Sequence, residues 1–181
     1  MPHFVVLLRG VNVGKGNRLP MADFRALLEA QGFTNVRTIL NSGNAVVSST
    51  RRSAAGHAKR VAATLQDSLG LNVNVVVKSA SEFRKVVAES EFVPPADHHS
   101  KFFVAFAQRK SQIQALSTLE SLVKPPDRFL LGGQAAYMYC PGGILESKAG
   151  SALLGKIGRA VTSRNWATVL KLERLLHERA A

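Results

Sequence analysis

With 181 residues, 46% of them hydrophobic, the chain can bury a substantial core as one large domain or two small ones, which excludes the disordered class. Its 24 Lys and Arg against 12 Asp and Glu leave +12 at pH 7, a field that attracts polyanions such as nucleic acid, anionic lipid or phosphorylated metabolites. One cysteine, Cys140, allows no internal disulfide and fits a reducing compartment; no apolar run reaches a secretory or membrane-spanning length, so a cytoplasmic protein without a membrane partner is expected.

Phe4 to Leu8 is a continuous apolar run of strand length. The loop after it, Arg9 to Arg18, holds three cations, two amides (Asn12 and Asn17), three glycines and no carboxylate. Such a loop between strand and helix suits an anion: glycines let backbone approach, N–H groups at a helix start point outward, and Arg or Lys adds charge. Pro20 suits a first helical position, Met21, Phe24, Leu27 and Leu28 form one stripe, and Gly32 stands where a left-handed cap is expected. Asn35 to Leu40 and Ala45 to Ser48, separated by Asn41-Ser42-Gly43-Asn44, predict a β-hairpin. A helix from about Ser53 to Leu69, closed by Gly70, and a strand from Asn72 to Val77 complete a β-α-β-β-α-β order.

Ser79-Ala80-Ser81-Glu82 is a capping box opening a helix, and Pro94-Pro95 marks a linker. Phe102 to Ala107 predicts a strand and Gln112 to Leu122 a helix. Arg128 to Leu131 and Ala135 to Cys140 flank Gly132-Gly133-Gln134 as a second hairpin, and helices follow at about 151 to 161 and 165 to 179. The pattern is α+β, with a ferredoxin-like unit over residues 1–78, a helix and Pro-rich linker over 79–100, and a second, partial ferredoxin-like unit over 101–181 for which no fourth strand is evident.

In the ferredoxin-like sheet order the end of strand 1, the hairpin between strands 2 and 3, and the start of strand 4 share an edge. Arg9, Asn12, Lys15, Asn17 and Arg18 are therefore expected to approach Asn41, Ser42 and Asn44 as one cationic surface that binds an anionic ligand. The plainer alternative is that Gly and Asn satisfy turn geometry and Arg9 ties the loop to the hairpin. The loop is not a Walker motif: three residues, not four, separate Gly10 from Gly14, and Gly16 stands where Ser or Thr would bind magnesium. Arg164 and Asn165, at the start of the final helix beside Trp166, either cap and anchor that helix or complete the site.

Other positions read as structural. His98-His99 has no third ligand at metal spacing and suits a solvated loop, so no metal is expected. Arg51, Arg52, Lys59 and Arg60 with His57 give the second helix a basic face, either phosphate-binding or merely solvated. Cys140 lacks a nearby histidine and reads as a buried, inert thiol.

The run from Leu7 to Gly14, with Leu19-Pro20-Met21, Gly32 to Thr38, Ser42-Gly43-Asn44 and the closing Arg164-Asn165-Trp166, resembles a bacterial family of uncharacterised proteins, domain of unknown function 1697. That resemblance implies an α+β protein of ferredoxin-like character and no established activity. The family usually reads Gly-Gly-Lys-Asn where this chain has Gly14-Lys15-Gly16-Asn17, so the lysine is displaced by one residue; Gln commonly stands at the place of Asn41, and Asn at that of Ala167. Three functions compete. A non-catalytic module would hold a nucleotide, a phosphorylated metabolite or a nucleic-acid backbone without reading sequence. An enzyme acting on a phosphorylated or carboxylated small molecule would use Ser42, yet no acid pair or histidine in the proposed site supplies a base, and no cofactor motif is present. An interaction scaffold would use the sheet edge or the basic helix. Oligomeric state stays open.

Overall fold

In the computed structural model, which describes residues 1–180, the chain divides into two compact units. The first comprises Met1–Phe83 with the end of the last helix from Arg174, the second Arg84–Glu173.

The first unit runs β1 (His3–Leu8), α1 (Met21–Ala30), β2 (Thr34–Ile39), β3 (Asn44–Ser48), α2 (Ala54–Leu69) and β4 (Val75–Ser79). Its sheet has the order β2-β3-β1-β4, every neighbour antiparallel, with Val6 opposite Ala45 on one side and Val77 on the other. This is the expected ferredoxin-like order. Phe4, Val6 and Leu8 share a core with Ala45, Val47, Val75 and Val77 and with Phe24 and Leu28 of α1 and Val61 and Leu65 of α2. Val5, Leu7, Val46 and Val76, on the other face, are also fully buried, which is why Phe4 to Leu8 reads as an unbroken apolar run rather than an alternating one.

Local signals set the helix ends. Ser53 Oγ accepts the Gly56 N–H at 3.0 Å to open α2, and Gly70, at φ 63, closes it. Helix α3 (Ala80–Glu89) opens on the expected capping box: the Ser79 N–H donates to Glu82 Oε2 at 2.8 Å and the Glu82 N–H to Ser79 Oγ at 3.2 Å.

The second unit contains β5 (Phe102–Phe106), α4 (Lys110–Gln114), β6 (Arg128–Leu131), β7 (Ala136–Tyr139), α5 (Lys148–Leu154), β8 (Thr162–Asn165) and the start of α6 (Trp166–Ala180). Its antiparallel sheet has the order β6-β7-β5-β8. The fourth strand missing from the sequence reading is β8, whose Arg164 pairs with Val104 and Thr162 with Phe106. Thr162-Ser163-Arg164-Asn165 carries no apolar residue, so only its pairing to β5 makes it a strand. Residues 163–165, expected to open the final helix, lie in this strand instead, and the helix starts at Trp166. The helix expected over 112–122 splits into α4 and a 3-10 segment, Ala115–Leu122, and that expected over 151–161 runs earlier, as α5.

Candidate functional site

The end of β1 is tied to both of its expected neighbours. The Leu8 N–H donates to the Gly43 carbonyl and the Arg9 N–H to the Asn74 carbonyl, each at 2.9 Å, which brings the loop beside the β2–β3 hairpin and the entry to β4. Within the loop Asn12 is the organising residue. Its Nδ2 donates to the carbonyls of Leu19 and Asn41, both at 2.7 Å, its Oδ1 accepts the Leu19 N–H at 2.9 Å, and its own N–H donates to the Asn17 carbonyl at 3.0 Å. Asn17 Nδ2 donates to the Gly10 carbonyl at 3.3 Å. Buried Val11 and Leu19 anchor the two feet, while Gly14, at φ 61, Asn12, at φ 56, and Asn17, at φ 48, turn the backbone between them.

On the hairpin, Gly43 has φ 82, and a Cβ there would stand 2.6 Å from Leu8 Cβ and 2.9 Å from Val11 Cγ2; only glycine lets hairpin and loop approach so closely. Asn44 is fully buried, its Nδ2 donating to the Ile39 carbonyl at 3.2 Å and to Ser42 Oγ at 2.9 Å.

The candidate residues thus divide by burial. Lys15, Asn17, Arg18 and Asn41 are exposed at the surface of this edge, Arg9 and Ser42 are half-buried, and Asn12 and Asn44 spend their amides holding the structure. Desolvation lowers the pKa of the Arg9 guanidinium from its ordinary value. Asp23 stands in the first turn of α1, where its charge complements the positive end of the helix. The sequence reading missed Asn74, whose buried Nδ2 has no hydrogen-bond partner among the described residues; a lone Asn at a strand entry carries no distinguishing pattern.

Arg164 and Asn165 lie in the second unit. Arg164, 7% exposed, donates through Nη1 to Thr162 Oγ1 at 2.7 Å and to the Ser163 carbonyl at 2.9 Å, and burial lowers its pKa to about 10. Asn165 Oδ1 accepts the Thr168 N–H at 3.0 Å and caps α6, the structural alternative of the sequence reading.

The basic face of α2 needs correction at His57, which points into the core. Its ring lies 4.7 Å from that of Phe4 and 4.8 Å from that of Phe33, and its Nε2 bonds the Arg51 carbonyl at 3.0 Å. Arg60 donates to the Gln31 carbonyl at 2.7 Å and lies 5.7 Å from the Phe33 ring centroid. Arg51, Arg52 and Lys59 remain exposed. His98, expected in a solvated loop, sits in a 3-10 turn, half-buried, with Nδ1 2.5 Å from the Tyr139 hydroxyl; no group of three His, Cys, Asp or Glu among the described residues is placed to hold a metal ion. Cys140 is buried, and that burial raises the pKa of its thiol.

Among the described residues no helix is long and apolar enough to cross a membrane. Residues 1–137 match the family described as protein of unknown function (DUF1697). The fold is similar to that of conserved bacterial protein SP0830 from Streptococcus pneumoniae, with a TM-score of 0.78 and 23% sequence identity, covering 97% of this chain and 98% of that one. No curated protein matches the chain.

Proposed function

We propose, for a chain that belongs to the DUF1697 family of proteins of unknown function, that the Arg9–Arg18 loop is a non-catalytic edge that engages the phosphates of a polyanion, with a nucleic-acid backbone as its ligand. The observation that carries this reading is the pairing of a clamped frame with an exposed crown: Asn12 holds the loop through three side-chain hydrogen bonds while Lys15 and Arg18 stand in solvent. A loop ordered before binding loses little conformational freedom when a ligand arrives. Exposed cations that stand singly on a loop, outside any cleft, are weak partners for one small anion, yet their contributions add along a chain of phosphates through counterion release. Because Asp23 occupies the first turn of α1, the loop cations rather than the helix dipole are the attracting groups. Half-buried Arg9 adds charge, and Asn17 and Asn41 offer amides at the rim; Ser42 and Asn44 support the hairpin. Arg164 and Asn165 are given no part.

The test is the binding of a labelled single-stranded oligonucleotide at several salt concentrations. Replacing Lys15 and Arg18 together by Ala is expected to weaken binding about tenfold and to flatten the salt slope by roughly 0.7 for each phosphate that is no longer neutralised. Replacing the exposed Lys110 of the second unit is expected to change little. An equal weakening for Lys110→Ala would mean diffuse charge, and the loop would have no special role.

A further inference from the structure

A second cationic place lies in the first unit at the opposite edge of the same sheet, where His3 begins β1 and pairs with Ser48. It is a cleft of about 730 Å³, within the range of small-molecule sites. Three arginines line it from three elements: Arg25 from α1, Arg37 from β2 and Arg179 from α6. Two are paired, Arg25 Nε with Glu29 Oε1 at 2.8 Å and Arg37 Nη1 with Glu178 Oε2 at 3.0 Å. Arg179 is different: its Nη1 is buried and has no hydrogen-bond acceptor among the described residues. A buried guanidinium N–H without an acceptor is costly, and Arg179 is itself one of the residues that line the cleft. The pKa of Arg179 is lowered, chiefly by burial and then by the charge of Arg37, against an opposing effect of the Glu178 carboxylate.

The wall itself is irregular. The β2–β3 register shifts between Thr34 and Arg37, and Asn35 within that bulge has φ 50, a left-handed conformation on a non-glycine residue. Bulges re-aim side chains at sheet edges, and this one accompanies the placing of Arg37 in the cleft. His3 Nδ1 is 2.9 Å from Ser48 Oγ, which orients its ring at the same wall.

We propose that this cleft binds the phosphate group of a small phosphorylated metabolite, with Arg179 and Arg37 as its principal donors and Arg25 as a third. Three arginines against two glutamates leave the lining with excess positive charge. Guanidinium groups carried on three separate elements suit a tetrahedral dianion better than a planar carboxylate, which one fork can satisfy. The proposal stands apart from the loop reading, because the two places occupy opposite edges of the sheet and share no residue.

The experiment measures calorimetric binding of ribose 5-phosphate and inorganic phosphate to the full chain, with ribose and acetate as the neutral and carboxylate arms. Both phosphates are expected to bind and the other two not. Arg179→Gln is expected to weaken phosphate binding at least tenfold, and Arg179→Lys, which keeps the charge and loses the fork, less so. Glu178→Gln removes the carboxylate competing for Arg37 and is expected to tighten binding severalfold, a gain that a merely structural role would not produce. Arg18→Ala in the loop is expected to leave this binding unchanged. Should Arg179→Gln not fold, Arg25→Gln reads the same weakening. Absence of phosphate binding, equal binding of acetate, or a weakening on Arg18→Ala as large as on Arg179→Gln would overturn the proposal.

Discussion

Asn12 stands in a left-handed conformation at φ 56 and meets three backbone groups through one side chain, two carbonyls and the Leu19 N–H. Asn tolerates that conformation better than other non-glycine residues, so its backbone and its amide serve the same loop. Asn12→Ala removes the hydrogen bonds and adds backbone strain, and is expected to cost about 2–3 kcal/mol in denaturant unfolding. Asn12→Gly removes the bonds but relaxes the backbone, at an expected cost of about 1–2 kcal/mol. Equal costs would mean that the clamp alone matters and the φ value does not. From the sequence Asn12 is a candidate to select a ligand; its partners are backbone groups, which every residue carries, so nothing in the sequence singles them out. Gly43 reads in sequence as a turn glycine, and its second reason, the missing Cβ against Leu8 and Val11, belongs to residues 35 and 32 positions away.

Among the elements, α2 is the most legible, because its stripe, its Ser53 cap and its Gly70 stop are all local. What the pattern of that helix misses is the direction of His57, whose titration bears on stability. Burial lowers its pKa below 6.5, opposed in part by the hydrogen bond to the Arg51 carbonyl and assisted by the lesser effects of the Arg60 and Arg51 charges. Because the folded pKa is depressed, the unfolded chain binds the proton first. The contribution of neutral His57 is therefore fully present above pH 6.5 and is lost as pH falls from there through the folded value. His57→Phe is expected to lessen the fall in denaturation midpoint between pH 7.5 and 5; an unchanged fall would place the acid sensitivity elsewhere. Strand β8 shows the converse limit. Its four polar residues have no strand periodicity, and pairing with β5 outweighs their local preference.

For the whole molecule, a net charge of +12 implies self-repulsion that salt should screen. Raising NaCl from 0.05 to 0.5 M is expected to increase the melting temperature by about 2–4 °C, corresponding to about 1 kcal/mol for a chain of this size. A decrease would mean that ion pairs such as Arg25–Glu29 and Arg37–Glu178 outweigh the repulsion. The sequence alone determined the α+β class, the first ferredoxin-like order, most helices and strands, the family resemblance and the cationic loop, because apolar period, caps and turn residues act over a few neighbours. Only the tertiary structure decided that β8 completes the second sheet, that Asn12 ties the loop to the hairpin, that His57 turns inward, and that Arg25, Arg37 and Arg179 line one cleft. Those outcomes depend on hydrogen bonds and packing between residues far apart in the chain, and local pattern carries no record of such partners.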